Sequence, residues 1–387
     1  MNKQKILIIG SGLSGLSCAT YLDKNKYDVS IYEKSDTPGG RVSSEIIDGN
    51  ICDVGFQVLL NNYDEVKKLG VYNALNLKYF DSGAEIYHNG RILSIYSPLK
   101  HPFKFIKSNI IRMFTLSDMF SLLKSLFVKS DLKHANQYIN KNFSDKSQNL
   151  FFYPFFRGVF LSKELHIDTN FFLKIFKKFA FGAASLPSHG MKMLPKEIVK
   201  KHNLNINYNH ELKNIEAKKA IFINNVEEHF DKIVLAMPIN NLKEITNIDI
   251  EAENNFNKTL YIKSSRKVLN KAIMLVADDQ YKINSIQCLS NISKNYSSDF
   301  DHLYSISSLE DIDDNMLVSE FKSITKLSDK DIKLIKSFTI NEALPASRKN
   351  LDNKDSIYFC GDWKCEPSID GAIKSGRLCA EEINKSQ

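Results

Sequence analysis

Glycine is absent from the whole stretch between Gly190 and Gly361, although the chain of 387 residues holds sixteen of them. Its return in "CGDWKCEPSIDGAIKSG", Cys360 to Gly376, beside the only tryptophan, therefore needs a reason. No run of eighteen uncharged apolar residues occurs, which excludes a spanning helix. The six cysteines, Cys18, Cys52, Cys288, Cys360, Cys365 and Cys379, form no CxxC pair and no cluster with histidine. That scatter argues against a zinc site and a disulfide framework, and reads as reduced thiols in the cytoplasm. His166, His189, His202, His210 and His302 show no metal-ligand spacing, so no metal is expected. A GxSxG elbow is missing too: Gly12-Leu13-Ser14-Gly15 lacks one residue, leaving Ser/His/Asp hydrolysis without support.

What is present is an ordinary globular composition, 43% hydrophobic and 25% charged, in a chain long enough for two interleaved domains. The net charge of +7 is uneven. From Lys100 to Lys133, seven basic residues (Lys100, Lys104, Lys107, Arg112, Lys124, Lys129 and Lys133) stand against Asp118 and Asp131, interleaved with phenylalanine, isoleucine and leucine. This pattern predicts an amphipathic helix pair covering a core, or a surface helix on an anionic membrane. No nucleic-acid motif accompanies the charge, so nucleic acid is not an expected partner. The opening "MNKQKILIIGSGLSGLSC" mimics a secretory leader, but regular glycines interrupt its apolar run.

Those glycines have a better reading. Ile6, Leu7, Ile8 and Ile9 make a buried parallel strand, followed by Gly10-x-Gly12-x-x-Gly15 and a small-residue helix through Leu16, Ala19 and Leu22. The first glycine serves a tight turn, the second a close approach to pyrophosphate and the third helix–strand packing; Leu13 and Ser14 open the helix whose N–H groups meet the phosphates. "YDVSIYEKS" is an alternating second strand ending at Glu33, with Lys34 next, near the offset of a ribose-binding acid. "EKSDTPGGRV" then supplies Gly39, Gly40 and Arg41, paired glycines and a cationic fork for phosphate oxygens.

The succession GxGxxG, strand-end Glu, then GGR resembles the flavin-containing amine oxidase and phytoene desaturase superfamily, which includes protoporphyrinogen-oxidase-like proteins. "DVGFQVL" resembles that superfamily's next segment, where backbone at Gly55, Phe56 and Gln57 passes the flavin. The resemblance implies non-covalent FAD, and a residue near Leu212 touching adenine. It also makes "GD–GA–SG" at the C-terminus the second half of the flavin site. Asp362, after Gly361, would meet the ribityl chain, and the helix at Ile369, Gly371 and Ala372 would point at the ring, where its dipole favours the reduced flavin.

The implied fold is α/β: a Rossmann-like FAD-binding domain (1–60, 189–239 and 341–387) interleaved with a mixed α+β substrate domain (61–188 and 240–340). The first insertion concentrates phenylalanine in "LFFYPFFRGVFLSKEL" and "FFLKIFKKFAFGAASLP", read as core, as tunnel lining, or as both. The second insertion carries no recognisable chemistry. The implied reaction passes a hydride or two electrons from substrate to flavin N5, with oxygen or a membrane quinone as acceptor; the missing second GxGxxG argues against NAD(P)H. Amine-oxidising relatives carry an aromatic two residues before the acid of the D/E-G-A triplet, where this chain has Ser368. That departure favours an apolar, isoprenoid- or porphyrinogen-like substrate over an amine, with Trp363, just after the turn, either a candidate for the missing wall or a structural residue. An amine oxidase and a catalytically silent flavin-binding partner protein are the alternatives. Cys360 and Cys365 resemble no covalent attachment motif. The expected location is cytoplasmic or peripheral on the inner face of a membrane.

Overall fold

Ile6, Leu7 and Ile8 are fully buried, so the first strand needs cover on both faces, and it forms the centre of a five-stranded parallel sheet. The computed structural model describes residues 3–96, 101–108, 113–246, 248, 250, 252–299, 301–354 and 356–386. The sheet comprises Gln4–Ile9 (β1), Tyr27–Tyr32 (β2), Ile206–Asn207 (β3), Lys232–Leu235 (β4) and Ile357–Phe359 (β5). Its order is β3-β2-β1-β4-β5 with every neighbour parallel, the order of a dinucleotide-binding half of a doubly wound fold. In such sheets the ligand crevice lies beyond the carboxyl ends of the strands where the order reverses, here between β1 and β4.

Two helices lie together beside the sheet, Leu13–Tyr21 (α1) and Ile369–Lys385 (α2). Ser17 Oγ donates to the carbonyl of Ile373 at 2.7 Å, and a Cβ on Gly376 would fall 2.0 Å from the Ser14 carbonyl oxygen. This close crossing joins two glycine clusters that are far apart in the chain.

A second sheet has seven strands in the order Ile332–Pro345, Asn254–Ser264, His302–Ser308, Ile283–Cys288, Ile273–Val276, Gly83–His88 and Arg91–Tyr96. All its neighbours are antiparallel except Ile273–Val276 with Gly83–His88. The strand Ile332–Pro345 runs across residue 341, where the sequence reading placed a boundary. Helices Tyr153–Phe160 and Thr169–Phe181 cover this half around Phe152, Phe156 and Phe172, the last two in an edge-to-face pair at 4.7 Å. The two halves are stitched at Asp53, which is 3% exposed: its carboxylate accepts from Ser44 Oγ, Met191 N (2.9 Å) and Tyr296 Oη (2.9 Å). Tyr261 Oη, from the seven-stranded sheet, donates to the Asp53 carbonyl at 2.8 Å.

The basic segment contains helices Pro102–Lys107 and Leu116–Ser125; Lys100, Ile110, Ile111 and Arg112 lie outside the described residues, as does the side chain of Lys107. Among the described residues no helix is long and apolar enough to cross a membrane.

Candidate functional site

A cavity of about 910 Å³ lies at the carboxyl ends of β1 and β4 and continues to the aromatic helices. At its first end the chain leaves β1 through Gly10, whose φ is +103°, and a Cβ there would sit 2.5 Å from the Ala236 carbonyl oxygen. Gly15 does not line the cavity; a Cβ on it would come within 2.0 Å of the Gly10 carbonyl oxygen, so it seats α1 on the turn. Gly12 differs from both, with nothing within 4 Å of a Cβ, and with Leu13 and Ser14 it faces the cavity. No side chain caps α1 at Gly12, so the first amides of the helix and its positive dipole end remain available there.

Glu33 is 6% exposed and borders the same end of the cavity. Its carboxylate accepts from Ser11 N (2.8 Å), Ser11 Oγ (2.9 Å) and Ser35 N (3.0 Å), three donors that fix its position. Gly39 N donates to the Ser11 carbonyl at 2.9 Å, drawing the Gly39-Gly40 turn against the first glycine loop. Lys34 lies on the lining, as do His210, Glu211 and the 8% exposed Leu212.

Arg41 and Asp362, read from the sequence as separate contacts, are brought together. Arg41 Nη2 donates to Asp362 Oδ1 at 2.7 Å and Nη1 to the Ala343 carbonyl at 3.1 Å. The two residues are thus bonded to one another at the cavity wall. Gly55 and Phe56 border the cavity too, with Phe56 N donating to Asn257 Oδ1 at 3.1 Å. Gln57 Nε2 donates to the carbonyls of Arg41 and Val54, both at 2.7 Å, while its Oε1 is buried without a partner.

The C-terminal stretch brings Gly361, Asp362, Ser368, Ile369 and Ala372 to the cavity. Gly371 sits behind it, where a Cβ would come within 1.8 Å of the Glu366 carbonyl oxygen. Ser368 has a structural duty: it is the N-cap of α2, its Oγ accepting from Gly371 N at 3.0 Å. Trp363 corrects the sequence reading. It is 1% exposed, donates from Nε1 to the Met237 carbonyl at 3.1 Å, packs in the core beside β4 and β5, and is not among the cavity's lining residues. A ring held inside the core by its own hydrogen bond is no substrate wall.

The other end is apolar, formed by Phe155, Phe156, Phe160, Phe171, Phe176 and Phe179 with Met119 and Leu122. The phenylalanine stripes are core and lining at once: Phe156 is 1% exposed yet borders the cavity. Among the described lining residues Lys34 is the only lysine, and no cysteine is present; Cys360 is fully buried and Cys365 is 7% exposed. Sequence reasoning missed Asn284 and Ser285, polar lining residues from the insertion that carried no motif. The only signal in the sequence is two adjacent polar residues inside the strand "INSIQC".

The parallel sheet, its glycine turns and the strand-end acid define a Rossmann-type fold, with the seven-stranded sheet and its helices beside it. The profile described as flavin containing amine oxidoreductase matches residues 13–266, and the chain belongs to that family. It is 31% identical over 109 residues to a 4,4'-diaponeurosporene oxygenase of Staphylococcus haemolyticus, covering 26% of this chain and 21% of that protein. It is 32% identical over 149 residues to the protoporphyrinogen oxidase of Dictyostelium discoideum, covering 33% and 27%. The matched stretches therefore span only about a quarter of these curated relatives. An oxidoreductase from Methanosarcina mazei shares the fold over 98% of this chain and 100% of its own, at TM-score 0.76 and 14% identity. Putrescine oxidase with bound putrescine shares it over 99% of both chains, at TM-score 0.66 and 13% identity.

Proposed function

We propose that this chain is a FAD-dependent oxidoreductase that removes a hydride or two electrons from a large, mostly apolar substrate, as in isoprenoid or carotenoid-like desaturation or oxidation. The observation that carries the reading is one continuous cavity of about 910 Å³ joining a dinucleotide cradle to an aromatic wall. The cradle fits the cofactor: Gly12 leaves open space, the first amides of α1 carry no side-chain cap, and Gln57 Oε1 is a buried acceptor without a partner. In this reading the glycine loop and α1 hold the pyrophosphate, and Glu33 the adenosine ribose. Arg41, Asp362 and Gln57 would flank the ribityl and ring portions, with FAD held non-covalently, as the family resemblance implies. The flavin, when bound, supplies the two-electron acceptor. The protein's part is to orient a C–H bond, and its phenylalanine wall excludes water.

The amine alternative draws on the family and on the putrescine oxidase likeness. Against it stands Ser368, which holds the place where amine-oxidising relatives carry an aromatic, is a helix cap and presents no ring. A membrane surface belongs to the same proposal. Leu116 (91% exposed), Phe120 (70%), Leu123 (58%) and Phe127 (80%) recur at helical spacing beside exposed Lys104, Lys124 and Lys129, and Leu123 also borders the cavity. This apolar, basic face suits the anionic inner leaflet of a membrane facing the cytoplasm, with oxygen or a quinone reoxidising the flavin.

The test is anaerobic reduction of the purified yellow protein. Bleaching of the flavin by a long apolar polyene, hydrocarbon or hydroxylated, and none by putrescine, is the expected outcome; bleaching by putrescine with peroxide release on aeration selects the amine reading. A flavin that no substrate reduces would favour the silent-partner alternative. Flotation with phosphatidylserine vesicles should fall at least tenfold when Lys104, Lys124 and Lys129 are changed to Glu; unchanged flotation removes the membrane surface.

A further inference from the structure

The apolar end of the cavity contains two polar side chains that its chemistry does not require. They come from the strand Ile283–Cys288, whose pairing with His302–Ser308 runs Ile283 to Ser308 and then Ser285 to Ser307. Asn284 is the extra residue of a β-bulge, the device by which a strand re-aims side chains. Consecutive residues of a regular strand face opposite sides of the sheet, yet Asn284 and Ser285 both border the cavity. Ser285 is 2% exposed and its Oγ is buried with no hydrogen-bond partner among the described residues; Asn284 Nδ2 is likewise buried and unpaired among them. A nearby polar residue on the lining, Asn257, is satisfied by contrast: it accepts from Phe56 N and Thr259 Oγ1 and donates to Ser307 Oγ.

The opposing aromatic helix makes room for this pair. Gly158 is the glycine of "FFYPFFRGVF", and a Cβ there would fall 2.7 Å from Asn284 Nδ2. Any larger residue would push the amide out of place. An unpaired donor and an unpaired hydroxyl, held by a bulge, given space by a glycine and set among phenylalanines, amount to a built polar subsite.

We propose that Asn284 and Ser285 anchor an oxygen-bearing group, a hydroxyl or a carbonyl, carried by the otherwise apolar substrate. Asn284 Nδ2 donates to that oxygen, while Ser285 Oγ donates to it or accepts a hydroxyl proton. The inference rests on the apolar-substrate reading above and narrows it from a pure hydrocarbon to an oxygenated one. A cavity that only buries apolar surface discriminates weakly between an alcohol and its alkane, whereas a site with buried partners for the oxygen penalises the alkane strongly.

The experiment titrates the flavin-loaded protein with 1-hexadecanol and with hexadecane in detergent micelles, following perturbation of the flavin spectrum. The wild type should bind the alcohol about tenfold or more tightly than the alkane. In the double variant Asn284→Leu, Ser285→Ala that preference should fall below about twofold, with alkane binding unchanged. Gly158→Ala, which keeps both polar groups but crowds the amide, should reduce the preference without abolishing it. Equal binding of the two probes by the wild type, or an undiminished preference in the double variant, overturns the anchor alone. If neither probe perturbs the wild-type spectrum, the apolar-substrate reading fails and the anchor fails with it.

Discussion

At the cradle end of the cavity a Cβ on Gly10 or Gly15 would meet a backbone oxygen at 2.5 or 2.0 Å, whereas at the far end Phe155 and Phe179 meet ring to ring with centroids 5.1 Å apart. The first would set a side-chain atom against a main-chain oxygen, which cannot be exchanged for another atom. The second is between side chains, and another apolar residue of similar volume fills the same space with modest loss. One end of the cavity is therefore specified by residue identity and the other by bulk. The cofactor end is constrained to a few sequences, while the substrate end is free to change with the substrate.

The largest effect expected from this contrast is at Gly15. Gly15→Val should leave no folded protein, because its Cβ falls on the Gly10 carbonyl; soluble yield and circular dichroism check this, and a folded variant would break the comparison. Gly12→Leu, two residues into the same motif, should fold with the wild-type apoprotein melting temperature yet purify colourless, since a side chain there enters open space meant for the cofactor. Next comes Asp53, which stitches the two halves. Asp53→Ala removes the acceptor of Met191 N and Tyr296 Oη and should cost about 3 kcal/mol in urea unfolding.

Asp53 also gives a pH signature. Burial pushes its carboxyl above the ordinary 3.8, and the donors Ser44, Met191 and Tyr296 only partly oppose this. The folded chain then holds the proton to higher pH than the unfolded chain. The stabilisation from the protonated group is fully present below 3.8 and is lost as pH rises through the raised folded value. Stability of the wild type should fall across that window, and Asp53→Asn should flatten the fall. A parallel slope in both proteins would remove Asp53 as its source. The smallest effect belongs to the aromatic end: Phe155→Leu should change flavin content by less than about twofold while altering which substrate length is preferred.

The same contrast explains what could be read before any coordinates. The glycine loop, the strand ending at Glu33 and the return of glycine at Gly361 and Gly376 were legible because each reflects a backbone requirement written at short spacing. Arg41 and Asp362 were legible as site residues but not as partners, since 321 positions separate them and only the folded chain brings them together. Trp363 was open between a substrate wall and a structural role, because the hydrogen bond to Met237 that decides for the latter depends on how β4 and β5 pack. Ser368 was seen as a departure from relatives, though its position three residues before Gly371 is that of a helix cap. Asn284 and Ser285 were marked locally only by two adjacent polar residues in a strand, because a bulge is a property of two strands and one of them lies elsewhere in the chain.

If the glycine-built cradle holds FAD without a covalent bond, acid must release it intact. Acid precipitation of the purified protein, followed by chromatography of the supernatant against FAD and FMN standards, should give free FAD in the supernatant at one molecule per chain and a colourless pellet. Colour retained in the pellet, FMN in place of FAD, or no flavin even after incubation with FAD would contradict non-covalent FAD binding.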